Sequence, residues 1–301
     1  MNISEMEMFN QSYIDSFRAV YSLVGYEAEQ LYELYHSTAI NDIKSYQSKI
    51  LHKVVRATFT LFKIITSLRD YNSASTILRM IADNMTSYHI IYHEEDEETR
   101  LLRHFLFVID GLKTRLKFLS EHDLHYDGKI SRKDYDELCS NVTNAISDSE
   151  EGIILCIKQI KNLSLYTKYQ NSIDTYIIKK NWQFISIDNP VGRYKWEDMY
   201  KLFDSNKSMA EMFVFLSQFV HGLSISNLVV DETIDKTFEP YYSFGIALLG
   251  KVQRYIENDF GLSRDELIDG FQYSDFCHNL ILCLSDDKVK EILKMIDDIE
   301  K

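Results

Sequence analysis

Two polar pairs, each one helical turn apart, are the residues best spaced for chemistry. Arg79 and Asp83 lie at i, i+4 in STILRMIADNMTSYHIIY, and Ser217 and His221 lie at i, i+4 in FLSQFVHGLS. A guanidinium beside a carboxylate can hold an anion or lock a polar core. A hydroxyl one turn before an imidazole can fix its tautomer by a hydrogen bond. Arg79 and Asp83 share their helix face with Ala82, Thr86 and Ile90. Such small or apolar neighbours suit either an ordinary surface pair or a polar network covered by another helix. Ser217 and His221 stand at the border of an apolar stripe formed by Met209, Leu216, Phe219 and Leu223, and Gly222 follows them. Buried polar groups need partners, because leaving one unsatisfied costs ~1–3 kcal/mol. The expectation is therefore that Arg79, Asp83, Ser217 and His221 meet in space and form one polar site. A Ser-His-Asp hydrolase is not indicated, since neither a nucleophile elbow nor an oxyanion turn is recognisable.

Two other constellations have metal-like spacing. His89, His93 and Glu97 fall at i, i+4, i+8 in HIIYHEEDE. On one continuous helix they would share a face and could hold zinc or iron. The acidic run begins at Glu94, however, and a helix end is expected there. The stretch HDLHYDGKISRKDYDEL (122–138) resembles a calcium loop, with Gly128 at position 6, Asp123 at 1, Asp127 at 5 and Asp134 at 12. His125 stands where a hard cation wants oxygen, and Asp134 replaces the bidentate Glu. Asp-Gly is a turn dipeptide, and Ser131 with Asp134 resembles an N-cap. A connecting turn is the simpler reading of this stretch. No metal and no other cofactor is expected, and these six residues are the weak candidates against that expectation.

The elements that position these residues read as helices. The chain has 301 residues with two Pro and ten Gly, and scarce breakers favour long helices. Twenty Tyr and seventeen Phe predict an aromatic core. Ile43, Tyr46, Ile50, Val54, Ala57, Leu61, Ile65 and Leu68 form one stripe over 40–69. A bend near Gly25 is expected in a first helix over 3–35. Leu102, Phe105, Ile109, Leu112, Leu116 and Leu119 form another bundle-type stripe. Ser131 opens a helix towards Ile146, with a separate one from Glu150. DNPVG (188–192) is the clearest loop. The capping box SMAE (208–211) precedes one further helix and SRDE (263–266) another. The fold class is all-α, a bundle of long antiparallel helices. One domain over 1–301 is expected, with 40–260 as its core and a candidate sub-boundary near 186–194.

The formal net charge is −13. This disfavours nucleic acid, whose binding draws on clustered Lys and Arg. Cys139, Cys156, Cys277 and Cys283 form no C-x-x-C pair and read as buried thiols of a reducing compartment. The acidic N-terminus lacks signal-peptide blocks, and the apolar runs are too short to span a bilayer. A cytoplasmic protein without a membrane partner is expected. A protein partner or a second copy of the chain remains open.

At these motifs the chain resembles a group of bacterial all-helical proteins of unknown function. The shared pattern is an Arg with an acidic residue one turn later, a Trp-containing middle, and a late S-x-x-[FY]-V-H-[GP] stretch. The matching positions are Arg79, Asp83, Trp182, Trp196, Ser217, Phe219, Val220, His221 and Gly222, over roughly 40–260. The resemblance implies an all-helical intracellular protein and no activity. More loosely, the chain is similar to HEPN proteins, helical nucleases and toxins that use an Arg and a His with four to six residues between them. It departs from them, because Val214, Phe215 and Leu216 occupy the place of that Arg. RLLRH, with Arg100 and Arg103 before His104, has the wrong spacing. The leading functional expectation is a binding or interaction module without catalysis of its own. The alternatives are a degenerate HEPN-like ribonuclease or toxin of stress or phage defence, and a metal-binding helical bundle.

Overall fold

The computed structural model describes residues 3–94, 96–121, 124–205, 207–220, 238–262 and 269–283. Among these residues the protein is all-α. The single extended pairing is an isolated antiparallel bridge, Phe184 with Arg193. No described helix is long and apolar enough to cross a membrane.

Among the described residues these α-helices follow in order: α1 Ile3–Leu34, α2 Ile43–Lys63, α3 Tyr71–Tyr92, α4 Glu97–Ser120, α5 Arg132–Asn162, α6 Ser164–Lys179, α7 Trp196–Phe203, α8 Lys207–Val220, α9 Glu239–Phe260 and α10 Asp275–Cys283. They divide into two compact units. The first holds residues 1–38, 44–87 and 200–301, and the second holds 39–43 and 88–199. The chain thus changes unit near 38–44, inside α3 and inside α7. The loop at 186–194, expected from Pro190 and Gly192, lies within the second unit.

In the first unit, α1 and α2 run antiparallel. Glu29 meets His52, Tyr21 stacks on Phe59, and Phe17 stacks on Phe62 at 5.0 Å between centroids. α1 and α9 run parallel, since Phe17 meets Tyr242, Glu27 meets Gln253, and Tyr35 meets Phe260. Two glycines let rings seat close to a backbone. A Cβ on Gly245 would lie 2.5 Å from Phe17, and one on Gly25 would lie 2.9 Å from Phe276. Gly25 therefore makes room for α10 within a continuous α1, where a bend was expected.

α2 ends in a π turn over Ile64–Leu68, closed by Arg69 donating to the Ile64 carbonyl at 2.7 Å, with Arg69 left-handed at φ 53°. Such a turn shifts the register of the stripe. Val54, Ala57, Leu61 and Ile65 are buried as expected, whereas Leu68 is exposed. Asp70 then accepts from the Ser73 amide at 3.1 Å and starts α3, its carboxyl held below the usual range by Ser73.

In the second unit, α4 and α5 form an antiparallel hairpin, and both contact α6. Asp96 caps α4 by accepting from the Thr99 amide at 2.7 Å. Ser131 caps α5 through the Asp134 amide at 3.2 Å. α5 is one helix of 31 residues, so the helix from Ser131 and the one from Glu150 are continuous. Glu98 serves a distant helix start, accepting from the Ser164 and Leu165 amides of α6 at 2.9 Å each. The loop after α6 is gathered around Tyr176, whose hydroxyl lies 2.6 Å from the Ser186 carbonyl and 3.0 Å from that of Asn189. Cys156 and Cys277 are buried thiols, and Cys139 is only half-buried because its part of α5 faces solvent.

Candidate functional site

α3 is covered on nearly every face, and its polar residues are consequently held by neighbours. Arg79 is 9% exposed. Its Nε donates to Asp83 Oδ1 at 2.8 Å and its Nη1 to the Phe213 carbonyl of α8 at 2.6 Å. Its guanidinium carbon also lies 5.0 Å from the centre of the Tyr200 ring. The Tyr200 hydroxyl donates to the same Asp83 oxygen at 2.5 Å. Burial raises the Tyr200 pKa, and the Asp83 charge raises it further, so this phenol stays protonated. The network ties α3, α7 and α8 together. Lys251 extends the clamp to α9, reaching Asp204 at 2.9 Å and the Phe203 carbonyl at 3.2 Å. Arg79 and Asp83 therefore belong to a covered polar network, with Tyr200 as the third member that sequence reasoning missed.

Ser217 lies on α8, one turn beyond Phe213. Its hydroxyl donates to the Val214 carbonyl of its own helix at 2.6 Å, a common local use of a helical serine. His221 lies outside the described residues, and with it the expected meeting of His221 with Arg79, Asp83 and Ser217. The structure places Arg79 and Asp83 together and puts α8, which carries Ser217, against them.

The helix end expected near Glu94 divides the first metal constellation. α3 ends at Tyr92 and Glu97 begins α4, so His89, His93 and Glu97 do not share a helical face. The His89 and His93 rings instead stack at 5.3 Å. In the 122–138 stretch, Asp127 accepts from the Lys129 amide at 3.1 Å and pairs with its ammonium at 2.8 Å. Gly128 takes the left-handed φ of 78°, and Ser131 is occupied as the cap of α5. Asp123 lies outside the described residues. Among the described residues no cluster of three or more His, Cys, Asp or Glu is arranged to hold a metal ion.

The second unit buries a polar pair that the spacing of RLLRH did not suggest. Arg103 is 3% exposed, and its guanidinium lies 4.1 Å from the centre of the Phe184 ring. Nη1 donates to the Trp182 carbonyl at 3.1 Å, and Nη2 pairs loosely with Glu94 at 3.4 Å. Its Nε has no hydrogen-bond partner among the described residues, and desolvation lowers its pKa. His104 is fully buried. Its Nε2 lies 3.0 Å from the Ile40 carbonyl, which can only accept, so Nε2 carries the proton. Nδ1 then accepts from the Tyr92 hydroxyl at 3.0 Å. Burial pushes the imidazole pKa down to about 4. One signal was available for both residues. They interrupt the apolar run Leu102–Phe105–Leu106 on the buried face of α4, where a charge is expensive unless it is engaged.

An open feature of the first unit is an aromatic cleft between α1, the end of α2, and α10. It encloses about 410 Å³, and Phe17, Tyr21, Phe59, Phe62 and Phe276 supply its walls. Two cations stand at it. Arg18 lies over the Phe62 ring at 5.6 Å and Lys63 over the Phe59 ring at 5.3 Å. Ser22 and Asn279 add polar edges. Such a volume lies in the range of small-molecule sites, roughly 300–1,000 Å³. No motif marked it, because its wall residues come from three separate segments of sequence.

Fold and site together define an all-helical protein with buried arginines and an aromatic cleft. Comparison with protein-family models, with curated proteins and with solved structures finds no match to the chain.

Proposed function

We propose that the chain is a binding module without catalysis of its own, and that its site is the aromatic cleft of the first unit. The observation that carries this reading is the cleft itself: an open, ring-lined volume with cations at it. The polar groups elsewhere support it. Arg79, Asp83 and Tyr200 are spent on joining helices. His104 has both ring nitrogens engaged and is neutral at physiological pH. A general acid–base needs a pKa near the working pH, and burial moves this imidazole away from it.

Thermal melting of the full chain against a mixed panel of small apolar anions, cations and neutral compounds tests the reading. Phe59→Ala removes one half-exposed wall of the cleft. At least one compound should raise the melting temperature of the wild type and fail to raise that of the variant. Stabilisation that survives Phe59→Ala would place the site elsewhere. Multiple-turnover RNA cleavage by the pure protein, lost in His221→Ala, would overturn the reading in favour of the HEPN-like alternative.

A further inference from the structure

The cleft also specifies the kind of molecule it suits. We propose that it binds a monocarboxylate with an apolar body, the head held by Arg18 and Lys63 and the body lying against Tyr21, Phe59, Phe62 and Phe276. This rests on the cleft being the binding site, as argued above, and adds the class of ligand.

Three observations set that class. The walls are rings packed in stacked pairs, Phe17 with Phe62 at 5.0 Å and Tyr21 with Phe59 at 5.1 Å. They offer apolar surface rather than a ladder of hydrogen-bonding groups, so the body of the ligand is hydrocarbon or aryl. Among the described residues, the charged groups that line the cleft are cations. Lys63 is exposed and sits over Phe59. Arg18 sits over Phe62 and pairs with Asp15 at 3.7 Å. Asp15 is itself buried and accepts from Gln11 at 2.7 Å. An anionic head therefore meets two cations whose stems already lie on the ring walls. Arg56 adds to the positive side, since its charge acts on the Tyr21 hydroxyl, although Glu29 opposes it there. The third observation is the net charge of −13. A field of that sign repels multiply charged anions more strongly than singly charged ones. A monoanion with a large apolar body is the compromise: burial of its body drives binding, and two local cations orient its head.

The geometry of the walls is held from behind. Phe17 packs on the bare backbone of Gly245, and Phe276 packs on that of Gly25. These rings are fixed in place before any ligand arrives, which lowers the ordering cost of binding.

Calorimetric titration of the full chain with decanoate, decanol and decyltrimethylammonium tests the class with one shared body and three heads. Decanoate should bind at a single saturable site and more tightly than either analogue. The double variant R18Q/K63Q should weaken decanoate by about tenfold, the scale of two partly exposed ion pairs, and leave decanol unchanged. Phe59→Ala, checked as folded by its unchanged circular dichroism, should weaken decanoate and decanol alike. Decanol binding as tightly as decanoate, or a charge variant without effect, would overturn the proposal. A failure of all three decyl compounds would also overturn it. If another compound still stabilises the wild type and not Phe59→Ala, the cleft remains the binding site and only the ligand class falls.

Discussion

Among the described residues the protein buries two arginines, by different means. Arg79 in the first unit has short, well-directed bonds, 2.8 Å to a carboxylate and 2.6 Å to a carbonyl. Arg103 in the second has a 3.1 Å bond to a carbonyl, a 3.4 Å pairing with Glu94, and an Nε without a hydrogen-bond partner among the described residues. Its guanidinium also lies over a ring, 4.1 Å from the centre of Phe184. Arg79 is thus a directional clamp, whereas Arg103 is largely a stacked slab within a ring cluster that continues to Tyr176, itself stacked on Phe184 at 4.9 Å. The difference teaches that burial alone does not say what a charge contributes. The same degree of exposure can hide a satisfied polar network or a cation retained mainly for its shape and stacking.

The largest effect should separate the two directly. Arg79→Met keeps the apolar stem but removes the counter-charge of Asp83 and the donor to the Phe213 carbonyl. Removing one partner of a buried pair costs about 3–5 kcal/mol, and the one-third exposure of the Asp83 side chain places this case near the lower end, at about 3 kcal/mol. Arg103→Met keeps the packing on Phe184 and frees a carboxylate that already reaches solvent. Its cost should be about 1 kcal/mol, the scale of one ordinary hydrogen bond. Urea denaturation of the two variants measures both. Equal losses would break the comparison.

Next in size is a pH effect belonging to the second unit. His104 has its pKa lowered to about 4 from an unfolded value near 6.5. The native state therefore binds fewer protons than the unfolded chain between these limits. Stability from this group is complete above about pH 6.5 and is lost as pH falls through the window to about 4. The full loss is about 3 kcal/mol on that shift. The capping carboxylates Asp70, Asp96 and Glu98 have lowered pKa values, so their losses come mainly below this window. His104→Gln keeps an amide donor for the Ile40 carbonyl and removes the titration. Denaturation midpoints from pH 7 to 4.5 should fall more steeply in the wild type than in this variant. Parallel slopes would show that burial does not hold the imidazole neutral.

A smaller effect sharpens the first unit. Tyr200→Phe removes the 2.5 Å bond to Asp83 and leaves the ring under the guanidinium. About 1 kcal/mol should be lost, because Arg79 still holds the carboxylate. In the double variant with Arg79→Met, the two losses should fall short of or exceed their sum, since both groups bind one oxygen. Strict additivity would mean that the three side chains are not one network.

Much of this was legible in the sequence, and the illegible part has a physical pattern. The i, i+4 spacing of Arg79 and Asp83 was visible because it is local. Their small and apolar neighbours hinted at cover, and α7 and α8 supply it. The helix end near Glu94 and the loop around Pro190 were readable from charge and breakers. Tyr200 was not, because 117 residues separate it from Asp83 and nothing in its own helix marks it. Arg103 and His104 bond to the backbone carbonyls of Trp182 and Ile40, and a carbonyl leaves no residue type to search for. The π turn hid in a regular stripe, and only the exposure of Leu68 betrays it. The cleft was hidden for the same reason as Tyr200: its stacked pairs join α1 to the end of α2, some forty residues along the chain.

The smallest effect bears most directly on the reading of Arg103 as a stacked slab. Glu94→Gln removes the carboxylate charge but keeps an oxygen that can accept from Nη2. Were the ion pair central to Arg103, this change would leave a nearly buried guanidinium without its counter-charge and should cost several kcal/mol. The geometry argues otherwise. At 3.4 Å the pairing is longer than a charge-assisted bond of ~2.7–2.9 Å, and the Glu94 side chain is about one-third exposed, so water shares its charge. The Trp182 carbonyl and the Phe184 ring face remain in the variant. The loss should stay under about 1 kcal/mol, the ordinary worth of a partly exposed pair. Phe184→Leu, which removes the ring face while keeping an apolar filler, should cost more than Glu94→Gln. Chemical denaturation of the two single variants decides the order, and the reverse order would make Arg103 an ionic clamp like Arg79.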